Sequence, residues 1–452
     1  MKQGDKITAK IIDYGNSGEG IAKPEGYVVF IPYTAAGETV EARITYAKKD
    51  FAHAVLLNVV EPSPERVSYP CNRFGRCGGC TIMHLSYPEQ LRMKEASVKT
   101  TMEKAGLKDL PYGKIVPSDC QYGYRNKVQL PFGIVNGKAA LGFYKQDTHK
   151  IVSITKCFLH EAWLEKLIRT VLDFTNGNNL SVYDETTGKG LLRHLVARYL
   201  DDKLSVVLVA TKANIPYMEK LIAELDKQFP DFSLYISINP EKTNVIMGKD
   251  LVTVKKGADT YNASGVIMTV HPLSFLQVNN NVREKLYNNV LNAVKGGVVI
   301  DAYSGIGLLG AYLIKQGAKH VYNIEIVPEA VKDAEILAQN NNISDKVTNI
   351  TGDASEKLPE AIALAKQTYP ENPLTLIVDP PRKGITKELI QTILSADIPN
   401  LVYISCNPAT LARDLKLLTE TRSYRITQIT PHDMFPNTHH VETVCLMSRV
   451  KD

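Results

Sequence analysis

No apolar run in this 452-residue chain reaches the roughly 18 residues that a membrane-spanning helix needs. The opening Met1-Lys2-Gln3-Gly4-Asp5 is not a secretory leader either. The expectation is a cytoplasmic protein with no membrane partner and no evident obligate protein partner. Cysteine is sparse, and its seven copies are an odd number in a long chain without a leader. That argues against a disulfide framework and for metal-binding or catalytic thiols. Charge of one sign is also scarce, with a net charge of only +5. It is unevenly spread, however. Residues 71–160 hold 14 Lys and Arg against 6 Asp and Glu, whereas residues 1–70 hold 8 against 9. A basic segment in a balanced chain points to a polyanion contact, although a solvated face would look the same. Hydrophobic content of 44% is ordinary for a globular protein, and the length leaves room for roughly three domains.

Residues 1–60 read as about five short strands broken by glycines, from Lys6–Ile12 to His53–Val60. This fits a small barrel of the oligonucleotide-binding kind. Glu61 to Arg66, with two prolines, reads as a linker. Cys71, Cys77 and Cys80 follow within ten residues, with Gly78 and Gly79 letting the backbone fold around an ion, and Cys157 comes much later. Four thiolates serve either zinc or an iron–sulfur cluster. Three clustered cysteines plus a distant one lean toward a 4Fe–4S cluster. Cys120 and Cys445 read as ordinary thiols. Residues 87–106 form one helix, with Pro88 near its start, Leu91, Val98 and Met102 on one side and Gly106 as its stop. From about 120 to 265 alternating strands predominate. There Tyr124-Arg125-Asn126-Lys127 and Arg193-His194 mix basic, amide and aromatic groups suited to phosphates and unstacked bases.

From about 266 the pattern becomes strand–helix alternation, and the strand ends carry the chemistry. Val298–Asp301 runs into Ala302-Tyr303-Ser304-Gly305-Ile306-Gly307, and a second strand ends on Glu325 about twenty residues later. Glycines that admit a cofactor, followed by an acid for ribose hydroxyls, are the logic of a mononucleotide half-site. The acid preceding the glycines, Asp301-x-x-x-Gly305-x-Gly307, is the arrangement of S-adenosylmethionine sites. Asp353 is placed for an adenine edge, and Asp379-Pro380-Pro381-Arg382 forms a proline turn over the cofactor. Leu401–Ile404 is a buried strand ending in Ser405-Cys406-Asn407-Pro408, which puts Cys406 where open α/β sheets place ligands and chemistry. Position alone does not separate a nucleophile from a small buried thiol. Glu442, at the start of a last strand, is either an edge charge or a general base.

These motifs together resemble the uracil-C5 RNA methyltransferase family, specifically its iron–sulfur 23S ribosomal RNA branch, over nearly the whole chain. The resemblance implies a multidomain α/β protein: a TRAM-like barrel (1–62), a central, mainly β, cluster- and RNA-binding domain (63–86 and 107–264), and a Rossmann-like methyltransferase domain (87–106 and 265–452). It implies Cys406 as nucleophile on C6 of uracil and Glu442 as the base that removes the C5 proton. It implies Gln277, Tyr303, Glu325 and Asp379 as contacts of S-adenosylmethionine, Phe275 against the target base, and Cys71, Cys77, Cys80 and Cys157 around a 4Fe–4S cluster. Leu308 departs from the polar residue some relatives carry there. Ribosomal RNA is the expected partner, because transfer RNA relatives generally lack the barrel and the cysteine cluster. A non-catalytic, metal-containing RNA-binding protein is the rival of another class.

Overall fold

The computed structural model describes residues 1–146, 148–294 and 296–450. At the N-terminus β1 (Lys6–Tyr14), β2 (Gly20–Ala22), β3 (Val28–Ile31), β4 (Thr39–Ala47) and β5 (Phe51–Glu61) close into a barrel of order β1-β2-β3-β5-β4. Alternation along the strands sends Ala9, Ile11, Val29, Ile31, Val40, Ala42 and Ile44 inward and their polar neighbours outward. Gly20 has no room for a side chain, since a Cβ would sit 2.0 Å from the Thr34 hydroxyl.

Helix α1 (Tyr87–Lys104) starts where Ser86 caps the Glu89 amide and Pro88 occupies the first turn. Val98 and Met102 enter the core of the C-terminal sheet, while Met93 packs with Ile82 and Leu85 beneath the barrel. Lys94, on the same helix, is fully buried and ion-paired to Asp433, and it also donates to the Phe435 carbonyl at 3.0 Å. Burial pushes its ammonium pKa down and the Asp433 charge opposes that shift. Removing one member of such a pair strands the other charge, a loss of about 3–5 kcal/mol. Lys94→Met should therefore lower the unfolding free energy measured in urea by that margin, and pairing it with Asp433→Leu should recover most of the loss.

The central domain is a seven-stranded sheet of order β12-β11-β10-β9-β6-β7-β8. Its strands are β6 (Lys127–Val135), β7 (Lys138–Tyr144), β8 (Ile151–Ser153), β9 (Leu192–Leu200), β10 (Lys203–Ala210), β11 (Asp231–Ile238) and β12 (Asp250–Lys255). Helices α2 (Ala162–Gly177) and α3 (Met218–Asp226) contribute their apolar stripes to its core. One expectation is corrected here. Arg193 is buried, and its guanidinium donates to the carbonyls of Asn239, Glu241 and Thr243, while burial also lowers the pKa of His194. Arg193 therefore shapes the 239–243 loop and is not presented to a phosphate.

A hairpin of β13 (Thr260–Ala263) and β14 (Val266–Thr269) straddles residue 264, and both strands join the core of the C-terminal sheet. After α4 (Asn280–Val294) that sheet runs β17-β16-β15-β18-β19-β21-β20. The parallel strands are β15 (Val298–Ala302), β16 (His320–Glu325), β17 (Val347–Thr351), β18 (Leu374–Val378) and β19 (Asn400–Ser405). Between them come α5 (Leu308–Lys315), α6 (Pro328–Asn340), α7 (Ala354–Thr368) and α8 (Lys387–Ser395), and α9 (Pro408–Glu420) follows β19. The last two strands, β20 (Tyr424–His432) and β21 (Glu442–Arg449), are antiparallel, β21 lying beside β19. Helices cover both faces, so the parallel strands read as mainly apolar runs such as Leu401–Ile404, all buried.

Candidate active site

The carboxyl ends of the parallel strands converge on one cavity bordered by Phe275, Gln277, Asp301, Tyr303, Gly305 and Asp379. Three candidate cofactor residues, Gln277, Tyr303 and Asp379, thus share it. The fourth, Glu325, sits beside it: one carboxylate oxygen accepts from the Gly305 amide at 2.9 Å and the other from Val327 at 2.8 Å. Each oxygen retains a lone pair for a hydroxyl. Tyr303 holds φ +83°, a left-handed conformation costly for an aromatic residue, next to Gly305 at +56° and Gly307 at +73°. Leu308 also lines the cavity. Gly310 completes a Gly-x-Gly-x-x-Gly spacing that the acid-first reading passed over. A Cβ there would lie 2.8 Å from Asn323 and 2.9 Å from Val321, so this glycine allows α5 to sit against β16. Phe275 is 67% exposed at the rim.

Asp301 is the carboxylate that strand-end reasoning saw but assigned no role. It is buried, and burial, with Asp379 and Glu325 nearby, pushes its pKa up to about 8. Burial likewise raises Asp379 to about 7. Such a cavity favours a positively charged occupant. One carboxylate oxygen of Asp353 caps α7, accepting from the Ser355 amide at 2.8 Å.

Cys406 lies just past β19. The antiparallel register pairs Ser405 with Thr443, and the next residues along each chain, Cys406 and Glu442, come close enough for the Glu442 carboxylate to raise the Cys406 thiol. Glu442 is buried, and its pKa is driven well above the usual carboxylate range by burial and then by Asp379, against the pull of Arg382. The Cys406 thiol is raised by burial and by Glu442, with Arg382 again opposing. Arg382 is thus the cation both groups feel, and its role had not been singled out. Its position is set by its backbone: Asn407 Nδ2 and Thr410 Oγ1 donate to the Arg382 carbonyl at 3.0 and 3.1 Å. Asn407 also caps α9, which explains an asparagine directly after the cysteine. The cavity over Cys406 is bordered by Arg382, His439 and His440, and also by Asn16 of the barrel and Ser97 and Thr101 of α1. Five segments distant in sequence meet there.

Cys71, Cys77, Cys80 and Cys157 border a third cavity, together with Arg125, Phe74 and Met83. Burial raises the thiol pKa values of Cys77, Cys80 and Cys157, the last to about 11, and the neighbouring thiols add to the rise for each. Among the described residues, no group of three or more His, Cys, Asp or Glu is gathered closely enough to hold a metal ion. The thiols ring a space and do not converge on a point. Cys120 is exposed and Cys445 buried, both apart from this group.

Comparison with known proteins adds to this geometry. Residues 87–450 match the family model described as tRNA (uracil-5-)-methyltransferase, and residues 1–57 match the TRAM domain. Proteins named uncharacterized RNA methyltransferases from Clostridium tetani and Listeria innocua are each 37% identical to the chain; the alignments span 100% and 99% of it and 98% of each relative. A crystal structure of Pyrococcus abyssi tRNA (uracil-54, C5)-methyltransferase in complex with S-adenosyl-L-homocysteine superimposes with a TM-score of 0.78 at 28% identity, over 97% of this chain and 99% of that one.

Proposed function

The chain belongs to the tRNA (uracil-5-)-methyltransferase family, and from that premise we propose that it methylates C5 of a specific uridine in 23S ribosomal RNA through a Cys406–C6 adduct. The observation that carries this reading is Cys406 and Glu442 at the adjoining ends of β19 and β21, both under the influence of Arg382 and Asp379, beside the acid-lined cavity. Uracil C5 is too weak a nucleophile to be methylated unaided. Attack of the Cys406 thiolate on C6 makes C5 an enolate carbon, dividing one difficult step into easier ones. Arg382 offsets the burial that otherwise keeps the thiol protonated. S-adenosylmethionine, when bound, supplies an electrophilic methyl group on a positively charged sulfur. Gln277, Tyr303, Glu325 and Asp379 would hold it, and the uncompensated carboxylates of that cavity suit its charge. Once C5 carries its new methyl group, Glu442 removes the C5 proton and the sulfur leaves C6. Flipping the uridine out of its stack costs a few kcal/mol. Phe275, exposed at the rim, can return part of that by stacking.

The four cysteines suit a cluster better than a lone ion. A single zinc draws four sulfurs to about 2.3 Å of one point, whereas these thiols are spread around a cavity that Arg73, Arg125 and Lys156 also line. A cluster held there would brace the surrounding loops. Protein purified without oxygen should be brown and contain iron and acid-labile sulfide. Cys157→Ala should lose both, and colourless, zinc-containing protein would refute the assignment.

Methylation of transfer RNA is the second reading, and a specific observation favours it. The Pyrococcus abyssi enzyme, described as acting on tRNA, matches 97% of this chain, so possession of residues 1–80 does not argue against tRNA as expected above. Mass mapping of 5-methyluridine in ribosomal and transfer RNA from a deletion strain distinguishes the two. Loss from 23S rRNA alone supports the first reading, and loss from tRNA alone replaces it with the second.

A further inference from the structure

The segment that gives Gln277 to the acid-lined cavity also gives Asn279, Asn280 and Asn281 to a separate cavity of about 620 Å3, which the methyl transfer does not use. That volume lies within the range of ligand pockets. Its other walls are the 120–124 and 156–162 segments and the start of α2. The rings of Tyr122 and Phe158 form an aromatic corner, 6.5 Å between centroids at 73°, and Tyr122 is 37% exposed. Lys156 lies over the Phe158 ring at 4.7 Å. His160, only 6% exposed, directs Nε2 at the Lys127 carbonyl, 3.1 Å away. A carbonyl only accepts, so that nitrogen carries the proton and Nδ1 is left as an acceptor. Nδ1 is buried without a partner. Glu161 and Glu165 border the same cavity.

We infer that this cavity is a subsite for one unpaired nucleotide of the RNA substrate, separate from the reacting uridine and dependent on the RNA-modifying function proposed above. An aromatic corner open to solvent is what a splayed base stacks on. The Glu161 and Glu165 carboxylates match a base edge that offers N–H groups, such as an exocyclic amine, and disfavour a phosphate inside the cavity. The phosphate backbone runs outside, past Lys156 and the basic surplus of residues 71–160. The route to the nucleophile is short in structural terms. Tyr124 Oη donates to the Pro436 carbonyl and Asn437 Nδ2 to that of Gln121, at 3.0 and 2.7 Å, so this wall is bonded to the 433–441 loop that brings His439 and His440 over Cys406.

The test uses the full-length holoenzyme and the ribosomal or transfer RNA fragment found to contain its 5-methyluridine, or unfractionated cellular RNA if none is found. Tyr122→Ala should raise Kd and KM by roughly 5- to 150-fold, the equivalent of one lost stacking contact. It should leave kcat at saturation unchanged, and Tyr122→Phe should restore binding. Ultraviolet crosslinking should join a nucleotide other than the target to residues 120–124 or 156–160. A Kd for Tyr122→Ala within about twofold of wild type overturns the inference, whatever the crosslinks. If 5-methyluridine forms normally while that variant binds as wild type, only the subsite fails. If no 5-methyluridine forms while Tyr122→Ala still weakens RNA binding, the proposed reaction fails and the subsite stands.

Discussion

Replacing Cys406 with alanine should leave RNA binding within a few-fold of wild type and reduce methyl transfer on the order of 10^6-fold, the scale seen when a covalent nucleophile is removed from a hydrolase. The separation of the two effects is the informative part. Cys406 is half-buried at a strand tip, and a single sulfur contributes little contact area to an RNA interface. Carbon 5, by contrast, has no route to enough electron density without an attack on C6. Alanine also removes a thiol that burial keeps at a raised pKa, so the fold should not suffer. Filter binding and single-turnover transfer of labelled methyl groups measure the two quantities. Turnover within about tenfold of wild type would show that C5 is activated some other way, and the adduct mechanism would have to be abandoned.

Much of this site was legible because parallel strands buried on both faces announce themselves as apolar runs, and their polar tips mark the functional edge. Asp301, Glu325, Asp379 and Cys406 were all found in this way. The five barrel strands were legible from alternation between glycines. What the linear pattern hides is the partner of each buried charge. Arg193 reads like a phosphate ligand until its guanidinium is seen on three carbonyls. Lys94 sits in an unremarkable helix, and only the fold shows that it anchors the 433–441 loop through Asp433 and Phe435. Arg382 was in plain view within Asp379-Pro380-Pro381-Arg382, yet its influence on both Cys406 and Glu442 depends on a loop held by Asn407 and Thr410. The barrel's share in the nucleophile's cavity, through Asn16, follows from domain docking, which leaves no local signature.

Glu442→Gln should stop the reaction at its last stage and leave protein covalently joined to methylated RNA. Glutamine keeps the size of the side chain and is neutral, so a group that burial already biases toward its uncharged form is replaced at little cost to stability. What glutamine cannot do is take a proton. If Glu442 acts on the C5 proton, attack by Cys406 and methylation of C5 proceed, and only the elimination that frees the sulfur slows, by about 10^2- to 10^4-fold. The adduct then accumulates as a slower band on a denaturing gel. Nuclease digestion should leave on the Cys406 peptide a uridine nucleotide one methyl group heavier. The alternative is that Glu442 acts earlier, accepting the thiol proton as Cys406 attacks, and its influence on the thiol makes that physically open. The same variant separates the two roles. A base needed for attack would, when lost, yield no adduct at all, whereas a base needed for elimination yields one that is already methylated.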